Sequence, residues 1–384
     1  TRFQSYTAST LSGKIDGLLT PNDTLINAGI FAGNVFAAGF ALDTVKLQAV
    51  SDIRSTDLTL DADGEEVKAK LSGNVNLGEE LLVRLDDLML DYKGSDWELI
   101  EPPATVRIGK NEYEIGDLKL VSGAEGASDS IQIIHADGLI SRTGEQDLDL
   151  KLFNINIPSV LSLFNMEQDI KGVLDMNMYL RGTAEVPVLE GGFNVDNAEF
   201  NGYKITEMGG TINYADNKLE MDAGVVPQDS GLLELTGYIP FNMRLDSMTV
   251  VPPTGTDSVN LKVVADKLPL KIISAFFPMD VAEGYVQSDI VVDGTINNPN
   301  PVGELHIVDG KVNIKKYGID YRSVLATIHF EKETVTVDTI LVESQDGTMF
   351  AEGTIGFNSQ FYKGDIESSE IQVKFENFHP FNHR

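Results

Sequence analysis

The amino-acid sequence predicts an all-β chain of mostly antiparallel strands that lengthens by repeating a module. Three observations carry that expectation. The first is duplication. Residues 172–242 open with GVLDMNMYLRGTAEVPVLEGGFNV and close with GTINYADNKLEMD and GLLELTGYIPFN. Residues 284–358 open with GYVQSDIVVDGTINNPNPVGELHI and close with ATIHFEKETVTVD and GTMFAEGTIGFN. Gly182-Thr183, Pro187 and Gly191 recur 112 residues on as Gly294-Thr295, Pro299 and Gly303, whereas Gly237 recurs after 116 as Gly353, a drift that one turn of different length produces. A period this long holds several strands per copy, unlike the single coil of a solenoid. The second observation is period-two alternation of apolar and polar residues nearly everywhere, the pattern of strands with one buried and one wet face. The third is a set of turn signals between the alternating runs: Asp63-Gly64, Asp137-Gly138, Asp309-Gly310 and Asp346-Gly347.

Taken in order, residues 28–42 (AGIFAGNVFAAGFAL) are apolar apart from Asn34, too short to cross a bilayer as a helix, and read as packed strands. Asp61 to Glu66 is a charged hairpin tip; a calcium loop would need ligands at later positions that are absent. Val67, Ala69, Leu71 and Val75 alternate next, and Trp97 anchors the start of a later strand. Residues 157–164 (IPSVLSLF) and 268–277 (LPLKIISAFF) each place Pro near a helix start, so each reads as one or two helical turns. Such a turn either crosses the apolar face between modules or caps a sheet end. In the first module Leu174, Met176, Met178 and Leu180 share a face opposite Asp175, Asn177, Tyr179 and Arg181; Leu233, Leu235, Ile239 and Phe241 oppose Glu234, Thr236 and Tyr238. In the second, Val286, Ile290 and Val292 oppose Gln287, Asp289 and Asp293, while Val335, Val337 and Leu341 oppose Thr334, Thr336 and Asp338. The domain boundaries that follow are an N-terminal β segment over 1–156, a first module over 157–268 and a second over 269–384.

Composition limits the partners. The 384 residues carry 59 Asp+Glu against 29 Lys+Arg, a formal charge of −30, which repels phosphate backbones and argues against nucleic acid. There is no cysteine, hence no disulfide scaffold and no thiolate nucleophile or metal ligand. The histidines (His135, His306, His329, His379, His383) are scattered, with no HExxH, Walker A or G-x-S-x-G motif, so no catalytic, metal or cofactor site is expected. No signal peptide opens the chain and Thr1 is not an initiator methionine, so the sequence reads as a piece of a longer protein.

The succession of strand, Gly-Thr, Pro, Gly followed by alternation, then a strand closing at Gly, resembles the repeats of the TamB/AsmA-like family of Gram-negative envelope proteins. Residues 85–99 (LDDLMLDYKGSDWEL), Pro102 to Val106 and Ile115 to Leu120 add to the likeness, which runs over about residues 30–378. The resemblance implies a periplasmic protein anchored in the inner membrane by a segment this sequence lacks. Its fold would be an elongated, curved, taco-like β-groove with an apolar inner face and one or two short helices. Its role would be to conduct phospholipids between inner and outer membranes beside a TamA/BamA-like outer-membrane barrel. The lining would then comprise the apolar positions named above for the two modules together with Phe193, Val195, Leu219, Met221, Leu305, Ile307, Ile355 and Phe357, and Met176, Met178 and Met221 suit a surface that adapts to varied chains. Alternating strands on their own are far more often the inner face of a closed sandwich or barrel, and the duplicated module together with the resemblance favours the groove. Two other roles stay open: a scaffold that guides outer-membrane proteins by pairing with strand edges, and a lipid-free β-repeat stalk.

Overall fold

The computed structural model describes residues 7–20, 23–37, 40–52, 54–92, 95–123, 131–158, 161, 170–200, 202–247, 249–275, 281–357 and 366–380. Strands dominate them. Twenty-three belong to one hydrogen-bonded sheet and two to a separate hairpin. The chain divides into two units, one of Thr1–Ser159, Asp175–Val188 and Leu245–Met248, the other of Val160–Leu174, Leu189–Arg244 and Thr249–Arg384. Both sequence modules thus lie largely in the second unit.

The first unit is an antiparallel meander of β1 (Thr7–Thr20), β2 (Asp23–Ala37), β3 (Phe40–Ser51), β4 (Ser55–Asp63), β5 (Val67–Leu77) and β6 (Leu81–Tyr92). Residues 28–42 fall in β2 and β3, and Asp63-Gly64 lies in the tight β4–β5 connection. Beyond β6 the sheet has a divided strand: β7 (Ser95–Leu99) pairs with the end of β6 and β8 (Ala104–Ile108) with its beginning, and both pair with β9 (Glu112–Ser122). Pro102 and Pro103, which have no N–H to give to a ladder, sit at the interruption. Then come β10 (Gln132–Ser141) and β11 (Asp147–Asn156). The next strand, β12 (Ile170–Gly182), belongs partly to each unit.

The second unit continues with β13 (Pro187–Phe200), β14 (Tyr203–Ala215), β15 (Lys218–Pro227) and β16 (Leu232–Pro240). A small hairpin of β17 (Asn242–Arg244) and β18 (Thr249–Val251) precedes β19 (Asn260–Pro269). Then follow β20 (Val281–Thr295), β21 (Asn298–Ile314), β22 (Ile319–Glu331), β23 (Thr334–Glu343), β24 (Thr348–Phe357) and β25 (Ile366–Glu376). The duplicated unit is therefore a five-stranded meander, β12–β16 and β20–β24. Its copies repeat backbone conformation as well as sequence: Gly172 and Gly284, Gly182 and Gly294, and Gly237 and Gly353 all have positive φ. The four-residue drift has a visible source. From Pro299 the second copy has two more residues of strand than the first has from Pro187, and four residues separate β21 from β22 where two separate β13 from β14.

Two expectations need correcting. Asp137-Gly138 and Asp309-Gly310 are not hairpin turns; they lie inside β10 and β21 at register shifts. Leu341 does not share a face with Val335 and Val337. A shift after Val337 puts Ile340 and Val342 in phase with them, while Leu341 lies opposite Leu325 and Phe350 on the other face. The helical turns expected at 268–277 are present as a six-residue 3₁₀ helix over 270–275, and Lys315–Tyr317 forms a further 3₁₀ turn. In the stretch 157–164, only residues 157, 158 and 161 are described, and they are helical.

Few large side chains among the described residues are fully buried. The largest side chains with under 2% exposure are Tyr214, Ile155, Pro227 and Ser141. The accessible surface is 23069 Å², against about 15,000 Å² for a compact monomer of 41.9 kDa. A sheet with no second layer packed on it gives such an excess. Strand contact is correspondingly close. Gly303 has φ +141, and a Cβ there would fall 2.0 Å from the carbonyl oxygen of Asp289 on β20. Gly303→Ala is therefore expected to cost about 2 kcal/mol or more in urea unfolding. Gly224→Ala on β15, where a Cβ meets nothing within 4 Å, is expected to be neutral or slightly stabilising.

Candidate apolar binding face

In an antiparallel ladder, residues directly opposite one another point to the same side, so the register shows which side chains share a face. In the second unit the row Phe193, Gly210, Ala223, Leu235, Val263, Ile290, Gly303, Phe330, Val335, Ile355, Ser369 passes from β13 to β25 through consecutive partners. Beside it runs Val195, Met208, Val225, Leu233, Ala265, Ser288, Leu305, Ile328, Val337, Gly353, Ile371. A third row, Leu268, Val286, Ile307, Ala326, Ile340, Ala351, Val373, starts at β19. Only two hydroxyls, those of Ser288 and Ser369, interrupt these rows. The face is apolar across eleven strands, about 48 Å measured along the sheet at ordinary strand spacing.

From β13 onward the sequence-derived lining falls on this face with one exception. Phe193, Val195, Leu233, Leu235, Val286, Ile290, Leu305, Ile307, Val335, Val337 and Ile355 lie in the three rows; Leu219, Met221, Ile239 and Val292 lie in phase beside them. Phe241 joins through an edge-to-face contact with Tyr214, 5.8 Å between ring centres, and Phe357 follows Ile355 by alternation. The exception is Leu341. Leu174 belongs to the second unit and Met176, Met178 and Leu180 to the first; Leu180 is buried and the other three are half-buried. Most of the lining is half-buried, too exposed for the interior of a sandwich and too covered for an open surface.

The opposite face is polar. There the β21–β22 register gathers two histidines that look unrelated in sequence. Glu304 Oε2 lies 3.1 Å from His306 Nε2 and 3.2 Å from His329 Nε2, and His329 Nδ1 is 2.6 Å from Asp338. No group among the described residues has the arrangement of a metal site. His383, paired by spacing with His379, lies outside them. In the first unit a cavity of about 700 Å³ opens mostly on the polar side, lined by Lys46, Asp61, Lys70, Met89 and Glu98 among others. Lys46, Asp61 and Lys70 are successive cross-strand partners, so its charges already complement one another.

One rim of the second unit's face is covered. The turn at residues 270–275 folds Leu270 down onto Ala282 and Val286, with Leu305 and Ile307 packed alongside. Of the two arrangements open at the sequence level, the turn lies over the face. Next to it, at the start of β14, Tyr203 is only 4% exposed, and its hydroxyl has no hydrogen-bond partner. The Lys271 ammonium stands 5.8 Å from the centre of the Tyr203 ring. Burial, helped by the charge of Asp229, pushes the phenol up to about 12. No family model, curated protein or solved structure matches the chain.

Because the hydroxyl of Tyr203 is unpaired, Tyr203→Phe is expected to leave folding stability unchanged or raise it by about 1 kcal/mol. The two proteins should part in alkali. The raised pKa in the folded state favours the native form fully below pH 10 and loses that advantage as pH climbs from 10 to about 12. Denaturant titrations across that window should show the native chain losing stability relative to the Phe variant.

Proposed function

We propose that this chain binds acyl chains along its apolar sheet face and serves as a lipid-conducting segment of a TamB/AsmA-like bridge in a Gram-negative envelope. On this reading it works in the periplasm, passing phospholipids between inner and outer membranes with a TamA/BamA-like barrel as partner. The observation that carries the reading is the set of apolar rows in the second unit, two of them crossing eleven strands with only the hydroxyls of Ser288 and Ser369 interrupting. Moving a chain of about sixteen carbons into water costs on the order of 12 kcal/mol, at about 0.8 kcal/mol per methylene. A continuous apolar strip removes most of that cost with no bond made or broken. The resemblance in Gly, Pro and alternation supplies the family, and the half-exposed rows argue against a stalk with a dry core.

A second reading rests on a different observation. β25 is exposed over its whole length, with Ile371 at 42%, Val373 at 44% and Phe375 at 64%, and β1 exposes Leu11 at 74% and Ile15 at 76%. Exposed apolar strands of this kind accept an added strand, as a scaffold for unfolded barrel strands would.

Native mass spectrometry of the purified chain, followed by extraction, is expected to find phospholipid bound. Leu235→Asp with Phe241→Asp should remove most of it while circular dichroism still reports a sheet. A lipid-free native chain, or loading unaffected by the double substitution, contradicts the acyl reading. Protection of β25 by an added peptide strand in hydrogen exchange would favour the second.

A further inference from the structure

The geometry points to a head-group site at the rim of the second unit's face, where the Tyr203 hydroxyl and the Lys271 ammonium take phosphate oxygens of an amphiphile whose chain lies on the apolar rows. This rests on the acyl-binding reading and adds the chemical class of its ligand. Three observations meet at this place. Tyr203 is 96% buried yet its hydroxyl has no partner, and buried donors in folded proteins are nearly always satisfied. Lys271 is exposed beside it, its ammonium 5.8 Å from the ring centre. Both stand at strand ends, Tyr203 where β14 begins and Lys271 just past the end of β19, while Leu270 of the same turn touches the apolar rows. A chain lying on those rows brings its polar end out here.

The two groups also define what that end must be. Burial keeps Tyr203 protonated up to about pH 12, so it donates a hydrogen bond and does not accept a proton. A neutral phenol donor beside an ammonium selects an anionic oxygen. A free anion is a poor fit. Asp229 lies close enough to influence Tyr203, and the chain carries a formal charge of −30. Burial of the attached chain is what offsets that repulsion. The Lys271 ammonium near the Tyr203 ring ends a flexible four-carbon stem on an exposed residue, which can turn toward a ligand without rearrangement of the sheet.

The test is calorimetric titration of the full chain with dodecyl phosphate, dodecyl maltoside and inorganic phosphate, the amphiphiles kept below their micelle thresholds at low salt. Dodecyl phosphate should bind about tenfold tighter than the neutral maltoside, the scale of one charge-assisted contact. Lys271→Glu should bring the two affinities together, and Tyr203→Phe, which keeps the ring, should narrow the gap severalfold. Equal affinities in the native chain, or a preference untouched by both substitutions, overturns the head-group site while leaving acyl binding intact. Inorganic phosphate binding as tightly as dodecyl phosphate also overturns it, making the place a free-anion site. Failure of both amphiphiles to bind removes the acyl reading and this one with it.

Discussion

The structure depends on side-chain parity. Because strand side chains alternate with a period of two, one extra residue anywhere moves every later side chain to the other face. Keeping one apolar face through eleven strands requires each irregularity to restore phase locally. A recurring device does this. Asn197, Lys267 and Asp309 have φ of 51°, 47° and 50° and sit where Val195 gives way to Ala198, Ala265 to Leu268 and Ile307 to Gly310. Each left-handed residue absorbs the odd position and returns the next apolar side chain to the same side. The first unit uses the same device and pairs the displaced N–H with a neighbouring carboxylate. Asp117 N–H donates to Asp137 at 2.9 Å, and Asn154 N–H to Asp175 at 2.6 Å.

A sheet one layer thick has no opposing layer to bury its apolar side, so cross-strand pairs and backbone ladders must hold it. That explains why hydrophobic side chains here remain half-buried, and why Gly and Ala recur in the rows at Gly210, Ala223, Gly303 and Gly353. Small residues let neighbouring backbones come close without breaking the register. Exposed apolar surface on this scale invites association. The formal charge of −30 opposes it by mutual repulsion between copies.

Much of this was legible in the sequence because alternation is a direct image of parity. Leu233 and Leu235 declare their face without any structure, and the repeat declares the five-strand module. What escaped was the phase correction. Asp-Gly marks a backbone that needs positive φ, a demand shared by a hairpin turn and a mid-strand bulge, so Asp63-Gly64 and Asp309-Gly310 read alike and fold differently. Leu341 was misplaced for the same reason: the shift that follows Val337 carries no Gly or Asn to announce it. Tyr203 was invisible too, because nothing in sequence separates a tyrosine with a satisfied hydroxyl from one without. The meeting of His306 and His329 around Glu304 depends on register, which no local pattern encodes.

The distribution of polar atoms separates this face from an ordinary ligand pocket. A pocket surrounds its ligand and fixes it with several polar groups, which sets identity at the cost of mobility. Here the described rows offer hydroxyls at Ser288 and Ser369 and otherwise only dispersion and the exclusion of water. Neither force has a preferred position along the strip, so a bound chain can shift from strand to strand without giving up a specific contact. Selectivity, where it exists, has to come from the rim, where backbone ends bring charge and hydrogen-bond donors within reach. The apolar rows and the polar rim then do different work, one tolerating length and saturation, the other reading the head group.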